Sequence, residues 1–232
     1  SSGSDYSDLY YAVQQACEAL TGQLGITAGD CQQVKNALDA VEMNAQPVPN
    51  FNPDATVCVP GTATTPLFQD NFENGIGNWS IGGSAQWVLD TGYASSATHM
   101  MWGDDAAVSS ASILAMQNGI YLAPGNTPYL HFKHAFGFEY SPPYYYDGGV
   151  LEYSINNGAT WLDAAPLYSA GQNYNGTIYY HPQSSNALKG RSGFVGDSHG
   201  YVSSRYNLTS LVGQTVKFRW RFATDQIFGY VG

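Results

Sequence analysis

Positive charge is what this chain has least of. Lys and Arg number 8 against 18 Asp and Glu, for a formal net charge of −10. Three of those eight, Lys217, Arg219 and Arg221, alternate within one stretch, VKFRWRF, so no basic face is left to follow a phosphate backbone and nucleic acid is excluded as a partner. Long apolar runs are also missing: none approaches the roughly 20 residues a helix needs to cross a bilayer, so no membrane span is expected. No charged segment at the N-terminus leads into an apolar core, which puts any signal peptide upstream. Cysteine is scarce, and Cys17, Cys31 and Cys58 show none of the close pairings of zinc fingers or redox motifs. That leaves disulfide chemistry in an oxidising, extracellular compartment, with one thiol unmatched because the count is odd. No HExxH helix occurs.

What the chain does have is Gly, Tyr, Ser and Asn, the composition of a secreted all-β protein, and enough length for one large β domain or two smaller units. Its organising stretch is DGGVLEYSINNGATW, from Asp147 to Trp161. The run alternates from Val150 to Ile155, turns at Asn156-Asn157-Gly158 and leaves through Trp161, which predicts a tight β-hairpin because Asn and Gly tolerate positive φ. Those letters resemble the Asp-box hairpin of secreted β proteins, with Asn156 in the Asp position. In VKFRWRF, alternation turns Val216, Phe218, Trp220 and Phe222 inward and Lys217, Arg219 and Arg221 outward. FQDNFENGIGNWS, AQWVLD, ILAMQNGIYL and YLHFKHAFGFE are further short aromatic segments between turn residues. The expected fold over 67–232 is a two-sheet β-sandwich of jelly-roll type, preceded by a short helical hairpin.

The hairpin's first helix covers 5–21, where Leu9, Val13, Ala16, Cys17 and Leu20 recur at helical spacing before Thr21-Gly22. Thr27 with Asp30 forms a capping-box pattern at the start of the second, whose Cys31, Val34, Leu38 and Val41 share a face. Both inner faces carry a cysteine. A Cys17–Cys31 bridge is expected, closing a loop for which chain entropy gives about 3 kcal/mol. Residues 44–66 are rich in Pro, Thr and Asn and read as an extended linker.

Residues 1–43, from SSGSDYSDLYYAVQQACEALTGQLG to the helix ending near NALDAV, resemble the C-terminal end of the catalytic domain of thermolysin-like zinc metallopeptidases. The resemblance implies that the Zn²⁺ site, its HExxH helix and the catalytic His lie in a domain N-terminal to residue 1. None of those residues maps onto this chain. The ordered motifs DNFENG, LHFKHAFGFE, DGGVLEYSINNGATW, VGDSHGY and RFATD resemble the MAM-like or galactose-binding-like jelly roll appended to such secreted bacterial proteases. That resemblance further implies truncation at both ends, because related domains close with another strand and a cysteine that could pair Cys58.

Asp70, Glu73, Asp104 and Asp105 are hard oxygen donors on loops, and the jelly-roll resemblance implies a structural Ca²⁺ among them, although turn capping explains the same letters. Tyr144, Tyr145, Tyr146 and Tyr174 lie on tyrosine-rich loops, suited either to a sugar- or peptide-binding patch or to loop packing. Asp197-Ser198-His199 fails as a triad, since neighbours on an extended loop do not point at one another. His131 and His134 fall on opposite faces of one strand and cannot share a metal; His134 goes with Phe132 and Phe136 into the core. The expected function is that of a non-catalytic C-terminal region of a secreted zinc metalloendopeptidase, its sandwich binding protein or glycan substrate or a surface. The alternative is an independent carbohydrate-binding or adhesion module.

Overall fold

A computed structural model describes residues 6–41, 43–44, 54–85, 87–95, 97–105 and 107–226. The Ser-rich lead, residues 45–53 of the Pro-rich linker and the C-terminal residues 227–232 lie outside the described residues.

Helix α1 spans Tyr6–Leu20 and α2 spans Ala28–Ala40. The expected capping box starts α2: Asp30 N donates to Thr27 Oγ1 at 3.3 Å and Thr27 N donates to Asp30 Oδ2 at 2.8 Å, so two orphan amides of the first turn are satisfied. Cys17 and Cys31 are joined, and Tyr10 Oη donates to Asp39 Oδ1 at 2.7 Å. Cys58 is a free thiol. Tyr10 is the one buried residue of α1, α2 has none, and Leu9, Leu20 and Val41 are exposed. The bridge and the Tyr10–Asp39 bond therefore hold the pair together where apolar burial is slight. A disulfide of this kind fits a non-reducing environment. No helix among the described residues is long and apolar enough to cross a membrane.

The strands are β1 (Trp79–Gly83), β2 (Val88–Asp90), β3 (Met100–Trp102), β4 (Ser110–Met116), β5 (Ile120–Tyr121), β6 (Tyr129–His134), β7 (Tyr140–Ser141) and β8 (Tyr144–Tyr145). They continue with β9 (Gly148–Ser154), β10 (Leu162–Asp163), β11 (Tyr168–Gly171), β12 (Gly176–Thr177), β13 (Ser192–Gly193), β14 (Val202–Asn207) and β15 (Thr215–Thr224). One antiparallel sheet runs β1-β4-β15-β9-β10, with β5 also on β15; the second runs β11-β14-β6. The β2-β3, β7-β8 and β12-β13 pairs stand apart as two-stranded units. The chain is thus a mostly-β sandwich preceded by a helical hairpin. The stretch 68–78 is turns rather than strand; pairing begins at Trp79, because Asp70 draws the segment into a turn.

Between the sheets, Leu151, Val216, Phe218 and Leu114 pack against Tyr206, Leu208 and Leu211, as the alternation of VKFRWRF requires. The hairpin turn behaves as its letters dictate. Asn157 and Gly158 take φ of 57° and 88°, Asn156 Oδ1 accepts from Thr160 N, Ser154 Oγ accepts from Gly158 N, and Trp161 lies under Gly158. On the outer face of the large sheet Glu152, nearly buried, takes Arg219 Nε at 2.6 Å and Arg191 Nη1 at 2.5 Å, while Arg219 stacks on Trp161 at 4.4 Å.

Strand β14 is polar, VSSRYN, yet buried as far as Tyr206, in part because the C-terminal part of the linker covers Ser203 and Arg205. Ser203 N donates to Asp54 Oδ1, Ala55 N donates to Ser203 Oγ and Arg205 Nη1 donates to Thr56 O. The packed unit therefore includes residues from Asp54, not only those from 67. Leu151 is fully buried at the centre of the core. Leu151→Ala is expected to lower unfolding free energy by about 2–5 kcal/mol, read from denaturant titration at unchanged m-value.

Candidate metal centre

Four carboxylates end core segments at one pole of the sandwich. Glu139 follows the β6 stretch, Asp147 precedes β9, Asp225 follows β15, and Asp105 lies in the loop after β3. Antiparallel pairing of β9 with β15 sets Gly148 opposite Ala223, which brings Asp147 beside Asp225. Ligand atoms of Glu139, Asp147 and Asp225 all lie within 4.8 Å of one another, and all three residues are buried. Asp105, 1% exposed, joins them: its Oδ2 accepts from Glu139 N at 3.0 Å and its charge acts on Asp147.

Asp147 is the innermost. Its Oδ1 accepts from Asp225 N at 2.7 Å and from Asn186 Nδ2 at 3.2 Å. Its Oδ2 is buried, and no amide, ring or alcohol donor among the described residues reaches it. Burial, and then the negative charge of Asp105, push its carboxyl up to about 8, against the pull of the Asp225 amide. Carboxylates so placed must share protons or a cation. The donor set is oxygen only, without Cys or His, which matches a hard divalent cation rather than zinc or copper. The residues present fit such an ion.

Of the four donors expected from the sequence, Asp105 alone belongs to this group. Asp70 holds a turn, taking Phe72 N on Oδ1 and Asn78 Nδ2 and Trp79 Nε1 on Oδ2. Glu73 holds the 97–99 loop through Thr98 N, Thr98 Oγ1 and His99 N, and its contact with His99 Nδ1 contributes most to holding its carboxyl down at about 2. Asp104 is exposed and outside the group. Bonding within a local turn accounts for Asp70, and bracing of a distant loop accounts for Glu73. Glu139, Asp147 and Asp225 were the residues not singled out. Their signal was a lone acid at each end of an apolar strand, in FGFE, YDGG and ATD.

The tyrosines divide. Tyr144 packs on Tyr179 at 4.6 Å and near Tyr146, forming a surface cluster with Tyr144 45% exposed. Tyr145 turns inward over Gly176 and Gly196. Tyr174 is interior: its hydroxyl accepts from Leu151 N, its ring meets Phe194 edge-on, and burial raises its pKa. Tyr145 and Tyr174 therefore lie apart from that surface cluster. His134 is half-buried among Phe132, Phe136 and Phe194, bonded to Ser204 Oγ, with its pKa lowered by desolvation to about 3, while His131 Nε2 bonds Ala55 O on the other face. Ser198 Oγ is tied to Phe136 and Gly200, so Asp197-Ser198-His199 is a turn.

Comparison with family models, curated proteins and solved structures finds no match for this chain.

The folded, metal-free chain keeps the Asp147 proton up to about pH 8, whereas an unfolded carboxyl releases it near 3.8. The fold then binds more protons than the unfolded chain across that window, so stability falls as pH rises through it. In EDTA, the melting temperature of the wild type is expected to drop between about pH 4 and pH 8 by more than that of Asp147→Asn, which carries no titrating group there. Parallel curves for the two proteins would remove Asp147 as the cause.

Proposed function

We propose that this chain is a non-catalytic C-terminal region of a secreted zinc metalloendopeptidase, and that its sandwich is an accessory domain whose buried carboxylates hold a structural Ca²⁺. The observation that carries the accessory reading is the burial of the acidic group. All four side chains are enclosed at strand ends, so an ion there is walled off from substrate and its role is to neutralise and tie, not to activate water. The helical hairpin supports the metalloendopeptidase assignment, together with the sequence resemblance of residues 1–43. Its helices bury little besides Tyr10, as expected of a piece whose apolar faces belong against a further domain. One observation favours the second reading, an independent carbohydrate-binding module: the surface cluster of Tyr144, Tyr146 and Tyr179 is a stacking platform of the kind sugars use.

Millimolar Ca²⁺ is expected to raise the melting temperature and EDTA to reverse the rise, since a ligand bound only by the folded state stabilises it by about 2.7 kcal/mol at a hundredfold excess over Kd. A melting temperature indifferent to both would dispose of the ion. The parentage is tested on the native secreted species, detected by antibody against residues 67–232. A mass well above 25.0 kDa, with bound zinc and chelator-sensitive proteolysis, is the expected result. A species near 25.0 kDa without zinc favours the module reading.

A further inference from the structure

Between β6 and the β2–β3 hairpin lies a cavity of about 940 Å³ that the carboxylate group does not touch. Its lining follows the chain: the consecutive residues from His131 to Phe138 form one wall and those from His99 to Gly103 the other. A cavity over a strand's face meets alternate residues, so consecutive contact means that it runs along a backbone edge. The hydrogen-bond pattern agrees. Leu208 N donates to Pro128 O, and the register Leu130↔Tyr206, Phe132↔Ser204, His134↔Val202 then turns the even-numbered backbone groups of β6 to β14. The N–H and C=O of His131 and Lys133 therefore point into the cavity. Phe138 N bonded to Gly196 O and Ser198 N bonded to Phe136 O place Gly137 the same way. No backbone partner for these three residues occurs among the described residues, and β6 is the edge of its sheet.

The cavity floor is the large sheet, through Trp79, Leu114, Trp220 and Phe222. Among its charged lining groups, Asp70, Asp90 and Asp197 outnumber Lys133. The eight-residue edge is about 26 Å long at the rise of a strand.

From this we infer that the cavity is a slot for an extended segment of a separate polypeptide, which adds to β6 as a strand. Its alternate apolar side chains lie on Trp79, Leu114 and Trp220, and the residues between them, basic to suit the acidic rim, face solvent. Main-chain bonds to His131, Lys133 and Gly137 supply affinity and the aromatic floor supplies selectivity, as in other strand additions. Such an unprotected edge is otherwise a liability. The slot is a matter of geometry; if its occupant is a substrate of the parent protease, that role alone rests on the function proposed above.

The test is fluorescence anisotropy of a labelled peptide of alternating Val and Lys, roughly eight residues long to match the edge, with the full chain in Ca²⁺. Saturable binding is expected. It should weaken at least about tenfold when the amides facing the edge are N-methylated, and likewise with Lys133→Pro, which removes one slot-facing donor. The melting temperature of Lys133→Pro should stay near that of the wild type, because the Lys133 N–H has no partner among the described residues to lose. No saturable binding, or binding indifferent to N-methylation, overturns the inference. So does binding seen only after the chain is shortened at Gln226, which would make residues 227–232 the occupant. If Lys133→Pro does not fold, N-methylation on the wild type decides. Each of these failures leaves the calcium and native-mass results standing, so the two readings fall separately.

Discussion

Mutual repulsion among buried carboxylates is the constraint on which this sandwich depends. Oxygens of Glu139, Asp147 and Asp225 within 4.8 Å of one another, if charged, repel by something on the order of 3 kcal/mol per pair even at the moderate effective dielectric of real proteins. Three such terms rival the whole 5–15 kcal/mol by which a domain is stable. The pole of the sandwich therefore exists only with that charge neutralised by proton or cation. Yet the same residues join the architecture: Asp147 ties β9 to the end of β15 through the Asp225 amide, and Asp105 ties the loop after β3 to Glu139. Asn186 adds a third connection, donating to Tyr146 O and Ala223 O. What makes the pole expensive is also what crosslinks it.

How far the sequence shows this depends on where each residue's partners come from. The hairpin from Ser154 to Trp161 was legible because its bonds are local: Asn156 meets Thr160 and Ser154 meets Gly158, four residues apart. Strand β15 was legible because its own alternation records which side is dry. Strand β14 was not. Ser203, Ser204 and Arg205 read as surface, and their burial depends in part on Asp54, Ala55 and Thr56, about 150 residues earlier in the chain, supplying donors and acceptors. A polar strand with distant partners has no periodic signature.

The acidic group was hidden for a related reason. Metal motifs are found by spacing, and Asp105, Glu139, Asp147 and Asp225 have none; topology alone gathers them. The acidic stretch DNFENG, by contrast, spends its oxygens on bracing loops, Asp70 within its own turn and Glu73 on the 97–99 loop. The tyrosine run divided because a strand has period two: Tyr144 and Tyr146 fall on one side of the β7–β8 hairpin and Tyr145 on the other, over glycines that leave room for its ring.

The acidic pole and the open edge of β6 are neighbours in the chain, which couples them mechanically. Phe138, the last residue of the slot, precedes Glu139, whose amide is fixed by Asp105, while its own amide is fixed by Gly196. The end of the edge is thus clamped from both sides, by the sheet and by the carboxylates. Strand addition gains affinity when the receiving edge is already ordered, because the ordering entropy is not charged to binding. Neutralising the pole therefore does more than relieve repulsion: it keeps the terminal bonds of that edge in register, and with them the spacing of the groups that face the slot.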